Sequence, residues 1–156
     1  MSRNSIALMI FVGLCLAVEV VSGLATRQSV STWYAALNKP AWTPPGWLFA
    51  PVWTVLYISM GVAAWLVWQK RATSAVTPAL VLFFVQLVLN GLWSLFFFGQ
   101  RQIGLGLVDI GLLWLVLAAT LVLFWMVRPL AGGLLIPYLM WVSFATALNY
   151  SIWRLN

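Results

Sequence analysis

Five stretches of this chain, residues 5–25, 47–69, 78–99, 103–127 and 130–153, are apolar almost throughout. Each reaches the roughly 20 residues that a helix needs to cross a bilayer, where lipid offers the backbone no hydrogen-bond partner. No small core could bury so much apolar surface. Of 156 residues 64% are hydrophobic and 6% charged, against roughly 25% charged in an ordinary soluble domain. The expected fold is an all-α integral membrane protein, one domain over residues 1–156, made of a five-transmembrane-helix bundle with a structured first loop. Links at 70–77, 100–102 and 128–129 are short and force neighbouring helices to run antiparallel. The link at 26–46 is too long for a turn and reads as a lid.

The first span, with Arg3 before it and Gly23-Leu24-Ala25 at its end, has the outline of a secretory signal. Its apolar run outlasts the usual signal and contains Glu19, which favours a retained helix. Arg3, Lys70, Arg71 and Arg128 fall on one side of a five-span topology and Arg27, Lys39, Arg101 and Arg154 on the other. The positive-inside rule therefore chooses no orientation. The expected location is a bacterial membrane, inner or outer. The net charge of +6 sits at loop ends, where it anchors helices to headgroups. No basic stripe points to nucleic acid.

With no histidine and only Cys15, the sequence leaves no His-based metal site, no catalytic triad and no intrachain disulfide. A haem-like ligand would be held without an axial histidine. Cys15, inside an apolar run, reads as a small buried hydrophobe.

Between residues 33 and 53 stand Trp33, Trp42, Trp47 and Trp53, with Pro40, Pro44 and Pro45 among them. So aromatic a loop suits a flat, greasy ligand. Trp47, Trp65, Trp68, Trp125 and Trp153 sit at span ends and fit an interfacial belt, whereas Trp53, Trp93, Trp114 and Trp141 lie deeper, where an indole N–H wants a partner. Helical spacing puts Trp53, Tyr57 and Gly61 on one face, and Tyr138, Trp141, Ala145 and Asn149 on another. Gln86, Asn90 and Ser94 form a polar stripe that must face the bundle. Gln86 reads more as interhelical glue; for Asn90 glue and ligand contact are equally open. Asp109 reads as a structural partner of Arg101, Arg128 or a loop residue, and Glu19 as a group near the interface. Gly13, Ala17, Gly61, Ala64, Gly104, Gly106 and Gly111 allow close helix contacts. Pro51 and Pro137 are expected near helix starts.

Trp33-Tyr34, Leu37-Asn38-Lys39-Pro40, Trp42-Thr43-Pro44-Pro45-Gly46, Val52-Trp53-Thr54, Asn90-Gly91-Leu92-Trp93-Ser94, Asp109, and the run from Ile136 through Trp141 to Tyr150 resemble the translocator protein family. This family comprises the tryptophan-rich sensory proteins and the peripheral-type benzodiazepine receptor. The resemblance covers nearly the whole chain in order. It implies a five-helix bundle, usually dimeric, with a pocket beneath the first loop for porphyrins, sterols and synthetic aromatic ligands. By matching position, Trp53 and Trp141 are the expected pocket tryptophans, Asn90 a polar pocket residue and Ala145 the small residue of the pocket floor. Trp33, Pro44 and Tyr57 match loop or wall positions, and Tyr138 shares the Trp141 face. Leu148, Tyr150 and Arg154 fit a weak sterol-recognition pattern.

The function expected is a membrane receptor or regulator for porphyrins, sterol-like or benzodiazepine-type aromatic ligands. It would have no intrinsic cofactor or metal, protoporphyrin IX or a haem-like tetrapyrrole as ligand, and membrane lipid and a second copy of itself as partners. Glu19 fits no family position and supports an alternative, a proton-coupled exporter of hydrophobic cations. A second alternative is a light-dependent porphyrin-degrading enzyme, with Trp53 and Trp141 as the redox pair and the chemistry supplied by the ligand.

Overall fold

The computed structural model describes residues 3–156. It contains α1 (Arg3–Val30), a one-turn α2 (Trp33–Ala36), α3 (Phe49–Trp68), α4 (Val76–Ser94), α5 (Ile103–Val127) and α6 (Pro129–Leu155). All but α2 belong to helical segments long and apolar enough to cross a membrane, so the chain is an all-α, multi-pass bundle. Contacts run α1 to α3, α3 to α6, α6 to α5, α5 to α4, and α4 back to α1. The five long helices therefore close a ring whose order differs from chain order.

Two boundaries depart from the sequence reading. The first helix continues to Val30, so the lid begins at residue 31 instead of 26. Thr26, Arg27, Gln28 and Ser29 are polar, but none breaks a helix. The Thr26 hydroxyl donates to the Ser22 carbonyl at 2.6 Å and the Thr32 hydroxyl to that of Gln28 at 2.7 Å, which keeps the last turns wound. Pro137 lies inside α6, not near its start, because that helix begins at Pro129. Pro129 itself occupies the first turn, where a missing N–H costs least.

The end of α4 widens into a π-helical segment, Leu95–Gly99, in which the Gln100 N–H reaches the Leu95 carbonyl at 2.7 Å. The looser turn leaves the Phe98 carbonyl open to the Ser29 hydroxyl of α1, 2.6 Å away. Arg101 then reverses the chain with φ of 59°.

Close packing depends on two glycines. A Cβ on Gly61 would stand 2.6 Å from the Val12 Cα, and one on Gly132 would stand 2.7 Å from the Trp125 Cβ. These fix the α1–α3 seam and the α5–α6 hairpin. Gly13 and Gly111, by contrast, face open space and are not contact points within the chain.

Candidate functional site

The lid is a tight structure held to the bundle by hydrogen bonds at the end of α6 and by the rings of Trp33, Tyr34 and Trp42 on Phe97, Phe98 and Phe144. Helix α2, four residues long, is far below the length at which an isolated helix is stable, and its terminal carbonyls need donors. Lys39 supplies them. Its Nζ donates to the carbonyls of Tyr34 at 2.8 Å, Ala35 at 3.1 Å and Leu37 at 2.9 Å, and it lies 5.0 Å from the centroid of the Tyr34 ring. Burial pushes the Tyr34 phenol above its ordinary value of 10.0, so it stays protonated at neutral pH. Asn38 joins the lid to the end of α6: its N–H donates to Asn156 Oδ1 at 3.0 Å, and Asn156 Nδ2 donates back to its carbonyl at 2.9 Å. Replacing Lys39 by methionine should raise amide hydrogen exchange across residues 34–40 by about ten-fold, for the loss of hydrogen bonds from a charged donor. The exchange of α5, which Lys39 does not touch, should be unchanged.

Beneath the lid lies a cavity of about 460 Å³, within the range of about 300–1,000 Å³ usual for small-molecule pockets. Three walls can be distinguished. Helix α1 contributes Glu19, Ser22, Gly23, Thr26, Arg27 and Val30; the chain entering and forming α3 contributes Gly46, Phe49, Ala50, Trp53 and Tyr57; and α4 with its π-helical end contributes Asn90, Trp93, Ser94 and Phe98. Tyr34 of the lid completes the enclosure. The α1 wall is polar and the other two are largely aromatic.

Trp53 is the hub of the aromatic side. Its ring centroid lies 5.7 Å from Tyr57, 6.4 Å from Trp93, 6.2 Å from Tyr138 and 6.5 Å from Trp141. Below it runs a buried hydrogen-bond chain. The Tyr57 hydroxyl donates to Asn90 Oδ1 at 2.5 Å, Asn90 Nδ2 donates to the Tyr138 hydroxyl at 2.6 Å, and that hydroxyl donates to Gln86 Oε1 at 2.9 Å. Asn90 is thus both a cavity-lining residue and interhelical glue. The indole N–H of Trp93 is likewise engaged, with Asn149 Oδ1 at 3.1 Å.

Of the residues expected to bind ligand, Trp53, Tyr57 and Asn90 line the cavity. Tyr138 is fully buried behind them, and Ala145 lies in the bundle core. Trp141 stands edge-on behind Trp53, its Nε1 buried without a hydrogen-bond partner. Trp33 packs on Phe97 at 5.6 Å and Pro44 is half-buried in the lid; neither reaches the cavity wall. Within the sterol pattern, Leu148 is buried, while Tyr150 stacks near Trp153 on the outside and Arg154 is exposed. Asp109 is buried, with one carboxylate oxygen unpartnered, and makes no ion pair among the described residues.

The sequence reading missed the α1 wall. The signal was present, since residues 19, 22, 23, 26, 27 and 30 repeat at three and four and share one helical face. It was obscured because polar residues after 25 suggested a loop. Glu19, expected near the interface or as the site of the alternative exporter, is on this wall, and the Thr54 hydroxyl of α3 donates to its Oε1.

These features define a multi-pass membrane protein with a lidded cavity of small-molecule size, polar on its α1 wall and aromatic at Tyr34, Phe49, Trp53, Tyr57, Trp93 and Phe98. The chain matches the TspO/MBR family over residues 11–154, and it belongs to that family. It is 45% identical to the tryptophan-rich protein TspO of Chlorobaculum tepidum, over 100% of this chain and 99% of that one. It is 49% identical to the translocator protein of Homo sapiens over 80% of this chain and 75% of that one, and 41% identical to the tryptophan-rich sensory protein of Cereibacter sphaeroides over 80% and 77%.

Proposed function

We propose that this protein is a membrane receptor and regulator that holds porphyrins, or similarly flat hydrophobic molecules such as sterols and benzodiazepine-type aromatics, in the cavity beneath the lid. The observation that carries the reading is the stacking surface of Trp53, Tyr57 and Trp93 inside a cavity between the membrane-spanning helices α1, α3 and α4. Such rings bind flat apolar bodies through contact area and offset stacking. The polar edge of a ligand meets Ser22, Thr26 and Arg27 of α1. Asn90 and the Trp93 indole, already committed to Tyr57, Tyr138 and Asn149, contribute position more than free donors. The homodimer is part of the same proposal, since α1 presents an exposed apolar face through Ile6, Ile10, Leu14, Val21 and Leu24.

Titrating the detergent-purified protein with protoporphyrin IX in the dark tests the reading. Saturable tryptophan quenching is expected, with affinity weakened about ten-fold or more by Trp53→Ala, for the loss of an aromatic stacking partner and its buried area. Unsaturable quenching, or equal affinity in the variant, would remove the cavity from consideration. A second reading is favoured by the edge-on pair of Trp53 and Trp141 at 6.5 Å, which suits light- and oxygen-dependent porphyrin loss. Illuminating the complex and following porphyrin absorbance distinguishes the two: loss abolished by Trp141→Phe at unchanged affinity identifies an enzyme, and a stable spectrum identifies a receptor.

A further inference from the structure

The cavity contains an anionic group that a porphyrin does not require. Glu19 is one of two acidic residues in the chain, and it lies half-buried on the cavity wall. Its hydrogen bond comes from the neutral Thr54 hydroxyl, and no basic side chain pairs with it among the described residues. Arg27, on the same wall, is exposed and stands eight residues along the helix, about 12 Å away at 1.5 Å per residue. A carboxylate on an apolar wall without a counter-charge favours a cation that can reach it.

Trp53, Tyr57 and Trp93 line the same cavity. Two of them have their polar hydrogens engaged elsewhere: the Tyr57 hydroxyl donates to Asn90, and the Trp93 N–H donates to Asn149. Their remaining capacity is the electron-rich ring, which attracts an organic cation. A carboxylate together with several aromatic rings in one enclosed space is the chemistry that recognises substituted ammonium groups.

We propose that the cavity has a second ligand class, flat aromatic cations, whose charged nitrogen is held between the Glu19 carboxylate and the rings of Trp53, Tyr57 and Trp93. The proposal rests on the cavity being the ligand site, as in the preceding subsection. Its test compares two near-isosteric tricyclic probes, N-methylacridinium and acridine, titrated into the full-length protein in uncharged detergent at mildly alkaline pH, where acridine is neutral. The wild-type protein is expected to prefer the cation by about ten-fold, in line with a desolvated cation–π contact reinforced by a carboxylate. Glu19→Gln is expected to reduce that preference several-fold, to what the rings alone supply, by weakening N-methylacridinium more than acridine, and Glu19→Asp to restore part of it.

Equal affinity of the two probes for the wild-type protein overturns the proposal without any variant, and so does a preference that is undiminished in Glu19→Gln. Competition with protoporphyrin IX separates this failure from that of the underlying reading. If protoporphyrin displaces acridine but the cation preference is missing, only the cation proposal falls. If neither acridine probe binds, or protoporphyrin binds without displacing them, the cation proposal falls and the underlying reading stands; if protoporphyrin itself does not bind saturably, both fall.

Discussion

Replacing Asn90 by leucine is expected to destabilise the protein by about 2–4 kcal/mol, since a buried hydrogen-bonding group left without a partner costs about 1–3 kcal/mol: the Tyr57 hydroxyl loses its acceptor, and the Tyr138 hydroxyl keeps only its bond to Gln86. Asn90 accepts from the Tyr57 hydroxyl and donates to that of Tyr138, tying α3, α4 and α6 together through one amide. Tyr57→Phe removes only one end of the chain and should cost about 1–2 kcal/mol. Thermal unfolding of both variants in the same detergent provides the check. Equal losses would mean that the amide is not shared between the two tyrosines as the geometry shows.

The second large effect is expected at Gly61. A valine there must displace the backbone of Val12, whose Cα would lie 2.6 Å from the new Cβ, and a helix backbone yields far less readily than a side chain. Overpacking in cores costs typically 1–3 kcal/mol, and a backbone obstruction places Gly61→Val at about 3 kcal/mol or more. Because Glu19 and Trp53 lie on the same two helices, the variant should also weaken protoporphyrin binding although Gly61 is not on the cavity wall. Gly111→Val, on α5, is the control, with nothing within 4 Å of its Cβ, and should leave both stability and binding nearly unchanged.

The spans and the membrane class were legible because hydropathy depends only on local composition. So were Trp53, Tyr57 and Asn90, whose i, i+4 spacing or polarity within a span pointed inward. What hydropathy could not show was where α1 stops. A polar turn at the membrane surface looks like loop in composition but stays helical when nothing breaks it, and that error concealed half of the polar wall. Nor could spacing determine which of two inward-facing aromatics touches a cavity and which stands behind it. Tyr138 is on the inner face of α6, fully buried behind α3, whereas Trp141 turns to a separate shallow groove with Val52, Leu56, Pro137 and Met140. The ring order of the helices decides this, and it arises from contacts distant in sequence, such as Gly61 against Val12.

The amide pair joining Asn38 to Asn156 has a practical consequence. Its two bonds are exposed, so each is at the weak end of the scale, about 0.5 kcal/mol. They add to the ring contacts of Trp33, Tyr34 and Trp42 with Phe97, Phe98 and Phe144, which carry most of the lid's hold on the bundle. A purification tag or fluorescent fusion attached directly after Asn156 pulls on that pair. Ligand on- and off-rates measured on such a fusion would then report the handle as well as the protein.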